Sequence, residues 1–221
     1  MVEAPHRPLR PVTVTWPAGR PIIRAHPSEF GATELDGRPG ADGRFSPLRF
    51  DSRVVPVLYG AGDDETAAAE TIFHTVPARE GITREIRPRQ VALAPYVSWV
   101  WSTIESRRDL ALVSLRGDGL ARLQTTRLKL ILGGRKDWPR TRRWAEALLV
   151  DAPHADGLWW TSRQSKRSDA LMLFGRHRGR SGGVGRGELK VVVPPLPFLA
   201  PEGFERLCGV ATRLDVTLLL D

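Results

Sequence analysis

Cysteine is nearly absent from this sequence of 221 residues, which contains one, Cys208. A lone cysteine excludes an intrachain disulfide framework and any metal site built from several thiolates. Long apolar runs are missing too, since none approaches the ~20 residues that a membrane-spanning helix requires. Residues 1–11 carry charges and prolines instead of an apolar segment, so no signal peptide is predicted. We therefore expect a reducing, cytoplasmic location without a membrane partner.

Lysine is scarce and arginine is abundant. The chain holds 29 arginines and 4 lysines, and its formal net charge is +8. Such a surface suits an anionic partner (nucleic acid, a dinucleotide or an acidic protein), because the planar guanidinium binds phosphate and carboxylate through two hydrogen bonds. Net charge alone does not choose among these anions.

The order of short apolar segments predicts the fold class. Strands and helices mix without a regular strand–helix–strand alternation, which favours one mixed α/β (α+β) domain with central mixed sheets flanked by helices. We expect residues 1–20 to form an N-terminal arm and residues 21–221 to form the domain. Strands are predicted over residues 12–16, 21–26, 54–59, 90–95, 109–115, 158–161, 171–174, 188–193 and 213–220. Helices are predicted over residues 65–76, 137–150 and 202–211.

Two features that often mark a binding site have simpler explanations here. The glycine-rich segment 175–187 lacks the Gly-Lys-Ser/Thr ending of a phosphate-binding loop, because Gly187 is followed by Glu188. It is predicted to be a mobile basic surface loop. The five histidines are scattered along the chain, and His74, four residues after Glu70, indicates a local polar pair. No metal site is predicted.

A dispersed set of polar residues remains, each at the end of an apolar segment or beside one. Arg24 ends a strand, Arg44 follows a glycine-rich loop, and Tyr59 ends a second strand. Glu70 lies at the margin of the apolar face of the first predicted helix, where a carboxylate would be half-buried. Ser162 ends a short buried strand.

In this order, the residues resemble the RES-domain family, the toxins of a class of bacterial toxin–antitoxin pairs. The resemblance covers residues 21–175. Phe45 stands where the family more often has Trp or Tyr, and Ser165 is a second candidate for the family serine. The matching segments are Ile23-Arg24, Gly43-Arg44-Phe45, Val57-Leu58-Tyr59, Ala67-Ala68-Ala69-Glu70 and Trp160-Thr161-Ser162-Arg163.

The resemblance implies a fold similar to that of ADP-ribosyltransferases and an attack on NAD⁺ as substrate, with no metal. Nicotinamide leaves as a neutral pyridine, so one carboxylate suffices where ordinary glycosidases need two. Glu70 would stabilise the oxocarbenium-like ribose, and Arg24 and Arg44 would bind the phosphates. Tyr59 would stack on the nicotinamide or pack beside it, and Ser162 would contact the ribose or position the carboxylate.

The resemblance also implies an Xre-like antitoxin as partner. The acceptor stays open: water would make a glycohydrolase, phosphate a phosphorylase, and a protein side chain an ADP-ribosyltransferase. Two other classes remain as alternatives, an inactive interaction protein and a basic nucleic-acid-binding module. Direct nucleic-acid binding is not expected, because no helix-turn-helix, zinc or RNP signature is present. A basic nucleic-acid-binding module would use Arg163, Arg167, Arg176, Arg178, Arg180 and Arg186.

Overall fold

The computed structural model describes residues 5–38, 40, 42–74, 76, 89–163 and 168–220. Within these residues the chain forms one large mixed sheet and two small sheets, with helices against them. The strands are β1 (Thr13–Trp16), β2 (Ile22–Pro27), β3 (Leu48–Phe50), β4 (Arg53–Val55), β5 (Val57–Ala61), β6 (Gln90–Ala92), β7 (Trp99–Ser106), β8 (Leu110–Ser114), β9 (Gly157–Thr161), β10 (Asp169–Phe174), β11 (Leu189–Pro197) and β12 (Thr217–Leu219). The α-helices are α1 (Asp64–Glu70), α2 (Gly117–Arg122), α3 (Trp138–Asp151) and α4 (Pro201–Leu214).

The large sheet has the strand order β1-β8-β9-β10-β5-β2-β7-β11, and β3–β4 and β6–β12 form the small sheets. Strand β8 is parallel to β9, whereas β10 is antiparallel to both β9 and β5. Strands β5, β8 and β9 therefore run in the same direction, and their carboxyl ends lie along one edge of the sheet. The residues that follow these three ends include Glu70 and Ser162.

One face of the sheet closes around an apolar core of its own. Trp16 of the edge strand β1 and Leu189 of the opposite edge strand β11 belong to the same buried cluster, together with Leu58, Leu112 and Leu171 of the strands between them. A flat sheet would keep its two edges far apart, so this shared cluster shows that the sheet is curled, as β-twist favours.

Helices cover the other face of the sheet in two separate patches. Trp144 and Leu148 of helix α3 belong to the same buried cluster as Trp160 of β9. Helices α1 and α4 cover the other half of the sheet, where Ala68 and Leu207 belong to one buried cluster. Helix α1 begins where the sequence predicts it, because the Asp63 side chain accepts a hydrogen bond from the Thr66 N–H at 2.7 Å. No helix in the described part of the chain is long and apolar enough to cross a bilayer.

Several predicted element boundaries are wrong. Pro56 divides the predicted strand 54–59, since β4 pairs with β3 and β5 pairs within the large sheet. The predicted helix 65–76 ends at Glu70, and the predicted strand 90–95 stops at Ala92, before a 3₁₀ turn at Ala94–Tyr96. Helix α4 extends to Leu214, so the predicted strand 213–220 is reduced to β12.

Other differences concern segments whose contacts lie far away in the sequence. The predicted strand 12–16 is confirmed as β1, and it pairs with β8 at the edge of the large sheet, where Trp16 is buried. Strand β7 was not predicted, because Ser102 and Ser106 occupy buried positions and interrupt its apolar pattern. The glycine-rich segment 175–187 is not a freely exposed loop, since the buried Arg180 donates to the carbonyl oxygens of Leu149 and Ala155.

Candidate active site

Tyr59 anchors the candidate site at the face of the sheet that α3 covers. Its ring meets Trp160 edge-on, with 6.4 Å between the ring centroids. Its hydroxyl donates to Ser46 Oγ at 3.1 Å and accepts from the Phe45 N–H at 3.3 Å. Burial raises the pKa of Tyr59 to about 12, so the phenol stays neutral. The Tyr59 hydroxyl therefore ties β5 to the loop that carries Arg44.

The turn at residues 43–46 positions Arg44. The Gly43 N–H donates to Ser46 O at 3.1 Å, and a Cβ atom at Gly43 would lie 2.5 Å from Ser46 Oγ and 3.0 Å from the Tyr59 hydroxyl. Glycine is required at this position because the turn closes tightly against two side chains. Arg44 follows directly, and its Nη1 donates to Gly133 O at 2.9 Å.

Glu70 is the last residue of α1 and is half-buried. Its Oε1 accepts from the main-chain N–H of Arg163 at 3.3 Å. Burial lowers the pKa of the Arg44 guanidinium, the negative charge of Glu70 opposes that shift, and the positive charge of Arg163 adds to it. Arg44 thus lies within the electrostatic reach of two carboxylates, Glu70 and Asp137, and of a second arginine, Arg163.

Ser162 lies beside this group at the end of β9. The residue is fully buried, its N–H donates to Ser168 O at 3.2 Å, and its carbonyl oxygen accepts from Arg127 Nη2 at 2.9 Å. Ser162 directly precedes Arg163, the residue that contacts Glu70. Ser165, the alternative serine, lies outside the described residues.

Arg24 occupies a different place from the other predicted site residues. Its strand neighbours Ile23 and Ala25 pack in the cluster beneath α1 and α4, so the alternation of β2 directs Arg24 to the opposite face. There its Nε donates to Tyr59 O at 3.2 Å, and its Nη1 donates to Gly31 O at 3.2 Å and also contacts Ala32 O. Burial lowers the pKa of Arg24 to about 10.

The structure therefore brings Arg44, Tyr59 and Glu70 together, places Ser162 next to them, and holds Arg24 behind the sheet against the main chain of Tyr59. A phosphate-binding role for Arg24 remains a prediction. In the structure its guanidinium already donates hydrogen bonds to three backbone carbonyls.

Two arginines of the site were not predicted to belong to it. Arg163 belongs to the segment Trp160-Thr161-Ser162-Arg163 that carries the family resemblance, but its predicted role was confined to the alternative nucleic-acid surface. Its position directly after Ser162 was an available signal for a role in the site. Its Nη2 donates to His74 O at 2.9 Å, which links the end of β9 to the turn after α1. Arg127, which supports the Ser162 carbonyl, comes from a segment 35 residues away and had no local signal.

Metal ligation is not suggested by the part of the chain that the structure describes. Within it, no group of three or more histidine, cysteine, aspartate or glutamate residues is placed to hold a metal ion. The chemistry that this site offers is a carboxylate for a developing positive charge and guanidinium groups for an anion.

The fold and the site together define a mixed α/β domain that presents one glutamate among arginines at the edge of a curled sheet. Comparison with protein families finds the model of the RES domain over residues 21–184. The chain therefore belongs to the RES domain family, and the predicted family is confirmed.

A solved structure has a similar fold. A chain in the crystal structure of the M. tuberculosis MbcT–MbcA toxin–antitoxin complex matches with a TM-score of 0.57 and 15% sequence identity, over 89% of this chain and 92% of that chain. At this identity the likeness shows the fold alone, and it confirms the predicted mixed α/β class. A search of curated protein sequences finds no match.

Proposed function

We propose that this protein is the toxin of a toxin–antitoxin pair and that it cleaves the bond between nicotinamide and ribose in NAD⁺. The observation that carries the proposal is the position of Glu70, a half-buried carboxylate beside Arg44 and Arg163 in a RES domain. The M. tuberculosis structure of similar fold is a toxin–antitoxin complex, which supports the toxin assignment.

The proposed reaction needs one carboxylate. The N-glycosidic bond breaks with its electron pair moving to the pyridinium nitrogen, so nicotinamide leaves neutral and no acid has to protonate it. Positive charge develops on the ribose, where Glu70 stabilises it and accepts a hydrogen bond from the 2′-hydroxyl. The oxygen of the acceptor then bonds to C1′ and releases its proton to water.

The remaining residues hold the substrate and the carboxylate. Arg44 binds the phosphate on the nicotinamide side, because its guanidinium is held close to Glu70 by the Gly133 carbonyl. The main-chain N–H of Arg163 fixes Glu70. Ser162 positions the end of β9 through its main-chain hydrogen bonds to Arg127 and Ser168. Tyr59 stacks on the nicotinamide or packs beside it, and its hydroxyl keeps the turn at residues 43–46 closed.

The partner is proposed to be an Xre-like antitoxin that covers the site. Growth supplies the test of the toxin assignment: induced expression of the wild type is expected to lower cellular NAD⁺ and arrest growth, and co-expression of the antitoxin is expected to restore both. Arrest at undiminished NAD⁺ would contradict NAD⁺ depletion as the cause.

Product analysis tests the reaction and names the acceptor. The purified chain is incubated with NAD⁺ in phosphate-free buffer and again with phosphate, and the products are separated by chromatography. ADP-ribose under both conditions indicates a hydrolase, and ADP-ribose 1″-phosphate formed only with phosphate indicates a phosphorylase. No nicotinamide release by a folded, antitoxin-free protein, with water and phosphate as the only acceptors, would refute hydrolysis and phosphorolysis of NAD⁺. It would favour either a binding role or ADP-ribosyl transfer that cleaves the bond only when a protein acceptor is present.

A further inference from the structure

A cavity of about 390 Å³ opens where β8 and β9 end, under α2 and the segment that follows it. Its walls are partly apolar, with Leu115, Leu120 and Ala121 on the side of α2. Thr125, Thr126 and Thr161 also line it. The volume lies in the range of small-molecule sites, which is about 300–1,000 Å³.

The cavity is positively charged. Arg116 and Arg127 both line it, and none of the nine described residues that line it is acidic. Arg116 contacts Asp169 Oδ1 at 2.7 Å, but Arg20 shares the same carboxylate through Oδ2 at 2.7 Å, so the trio keeps a surplus positive charge. Arg116 also lies over the ring of Trp159, with 4.3 Å from its Cζ to the ring centroid. An apolar chamber with guanidinium groups suits a ligand with a flat base and a phosphate.

Two buried polar atoms beside the cavity also indicate a ligand site. Thr125 Oγ1 and Arg127 Nε are buried and have no hydrogen-bond partner among the described residues. Buried polar groups in native proteins are almost always paired, so a small movement that lets a ligand or water meet these atoms would be favourable. Arg127 uses its Nη2 to hold the Ser162 carbonyl at 2.9 Å, which places the cavity next to the candidate active site.

We propose that this cavity is a nucleotide subsite that takes the adenylate half of the dinucleotide. The base would lie against Leu120 and Ala121, and the phosphate would meet Arg116 and Arg127. This inference rests on the proposed function, because it assumes that the substrate cleaved at Glu70 is a dinucleotide. Binding of the adenylate half can nevertheless be measured without any turnover.

The test uses a substitution that narrows the opening of the cavity. Ala121 is exposed on α2, so Ala121→Trp adds a large side chain at the opening and removes no buried contact. Ala18→Trp is the matched control, because Ala18 is exposed beside Asp109 at the other end of β8. Circular dichroism confirms that both variants fold, and titration calorimetry measures the binding of AMP, adenosine and orthophosphate to each.

The wild type is expected to bind AMP more tightly than adenosine or orthophosphate. Ala121→Trp is expected to weaken AMP binding at least tenfold, and to raise the KM for NAD⁺ more than it lowers kcat, while Ala18→Trp changes neither. Equal AMP affinity in the wild type and Ala121→Trp, or no AMP binding by the wild type, would overturn the inference.

The inference and the proposed function can fail separately. Nicotinamide release that is unaffected by Ala121→Trp would refute the subsite and leave NAD⁺ cleavage standing. AMP binding that Ala121→Trp removes, in a protein that releases no nicotinamide, would support the subsite and refute the cleavage. Orthophosphate binding as tight as that of AMP would reduce the cavity to a simple anion site and overturn the adenylate assignment.

Discussion

Replacement of Tyr59 by phenylalanine tests how the loop of Arg44 is held. The substitution keeps the ring against Trp160 and removes only the hydroxyl, which donates to Ser46 Oγ and accepts from the Phe45 N–H. Both partners lie in buried residues, Phe45 at 1% and Ser46 at 3% exposure. The change therefore leaves a buried N–H without its acceptor.

We expect Tyr59→Phe to lower the free energy of unfolding by about 1–3 kcal/mol, the cost of leaving a buried polar group unpaired. The phenol is neutral below pH 10 because burial raises its pKa to about 12, so the loss is expected to be the same at pH 6 and pH 8. A looser turn at residues 43–46 also displaces Arg44, which is expected to raise the KM for NAD⁺.

Urea denaturation at pH 6 and pH 8 measures the loss, and Tyr96→Phe is its matched control. The Tyr96 hydroxyl makes a longer hydrogen bond, to Ile72 O at 3.4 Å, and the residue is only partly buried. Its removal is expected to cost less than about 1 kcal/mol. Equal stability of Tyr59→Phe and the wild type would show that the hydroxyl does not hold the loop, and would refute this reasoning.

Two further predictions concern charged and titratable side chains. Arg24→Lys is expected to lower the free energy of unfolding by about 2–4 kcal/mol, since a lysine cannot reach all three carbonyls. Arg44→Lys is expected to weaken NAD⁺ binding and hardly change the urea midpoint. Weaker NAD⁺ binding in Arg24→Lys with a lower urea midpoint in Arg44→Lys would exchange the two roles. His26 has a folded-state pKa of about 4 against an ordinary 6.5, because burial and then the charge of Arg24 disfavour its protonation. Between pH 4 and pH 6.5, His26 is protonated in the unfolded chain but neutral in the folded protein. The free energy of unfolding therefore falls as the pH drops from 6.5 to 4, by about 1–3 kcal/mol after allowance for solvent screening. His26→Gln is expected to flatten that part of the pH dependence of the urea midpoint, and an unchanged slope would contradict the assignment.

The unit formed by β5 and α1 was predictable because its signals are local. An apolar strand that ends in Tyr59, a turn, and Asp63 as a helix cap lie within a few residues of one another, and they place Glu70 on the helix. Pro56 is a further local signal, because a proline within a strand interrupts its pairing and here separates β4 from β5. The predicted strand 54–59 did not take it into account.

The rest of the site depends on contacts between distant segments, for which one sequence has no local signal. The phosphate-binding role of Arg24 was predicted from the resemblance to the RES-domain family. Which face of the sheet it occupies is decided by the packing of Ile23 under helices that come much later in the chain. The main-chain contact of Arg163 with Glu70, 93 residues away, is likewise a result of the fold.

The central claim is that Glu70 drives cleavage of NAD⁺. The most direct measurement is the rate of nicotinamide release by the wild type, Glu70→Gln and Glu65→Gln under the same conditions. Glu65 is the matched control, because it lies on the same helix and its carboxylate makes a long ion pair, 3.7 Å from Arg213 Nε. We predict that Glu70→Gln loses at least a thousandfold in rate, about 4 kcal/mol of transition-state stabilisation, while Glu65→Gln keeps the rate of the wild type. Full activity in a folded Glu70→Gln protein would contradict the account.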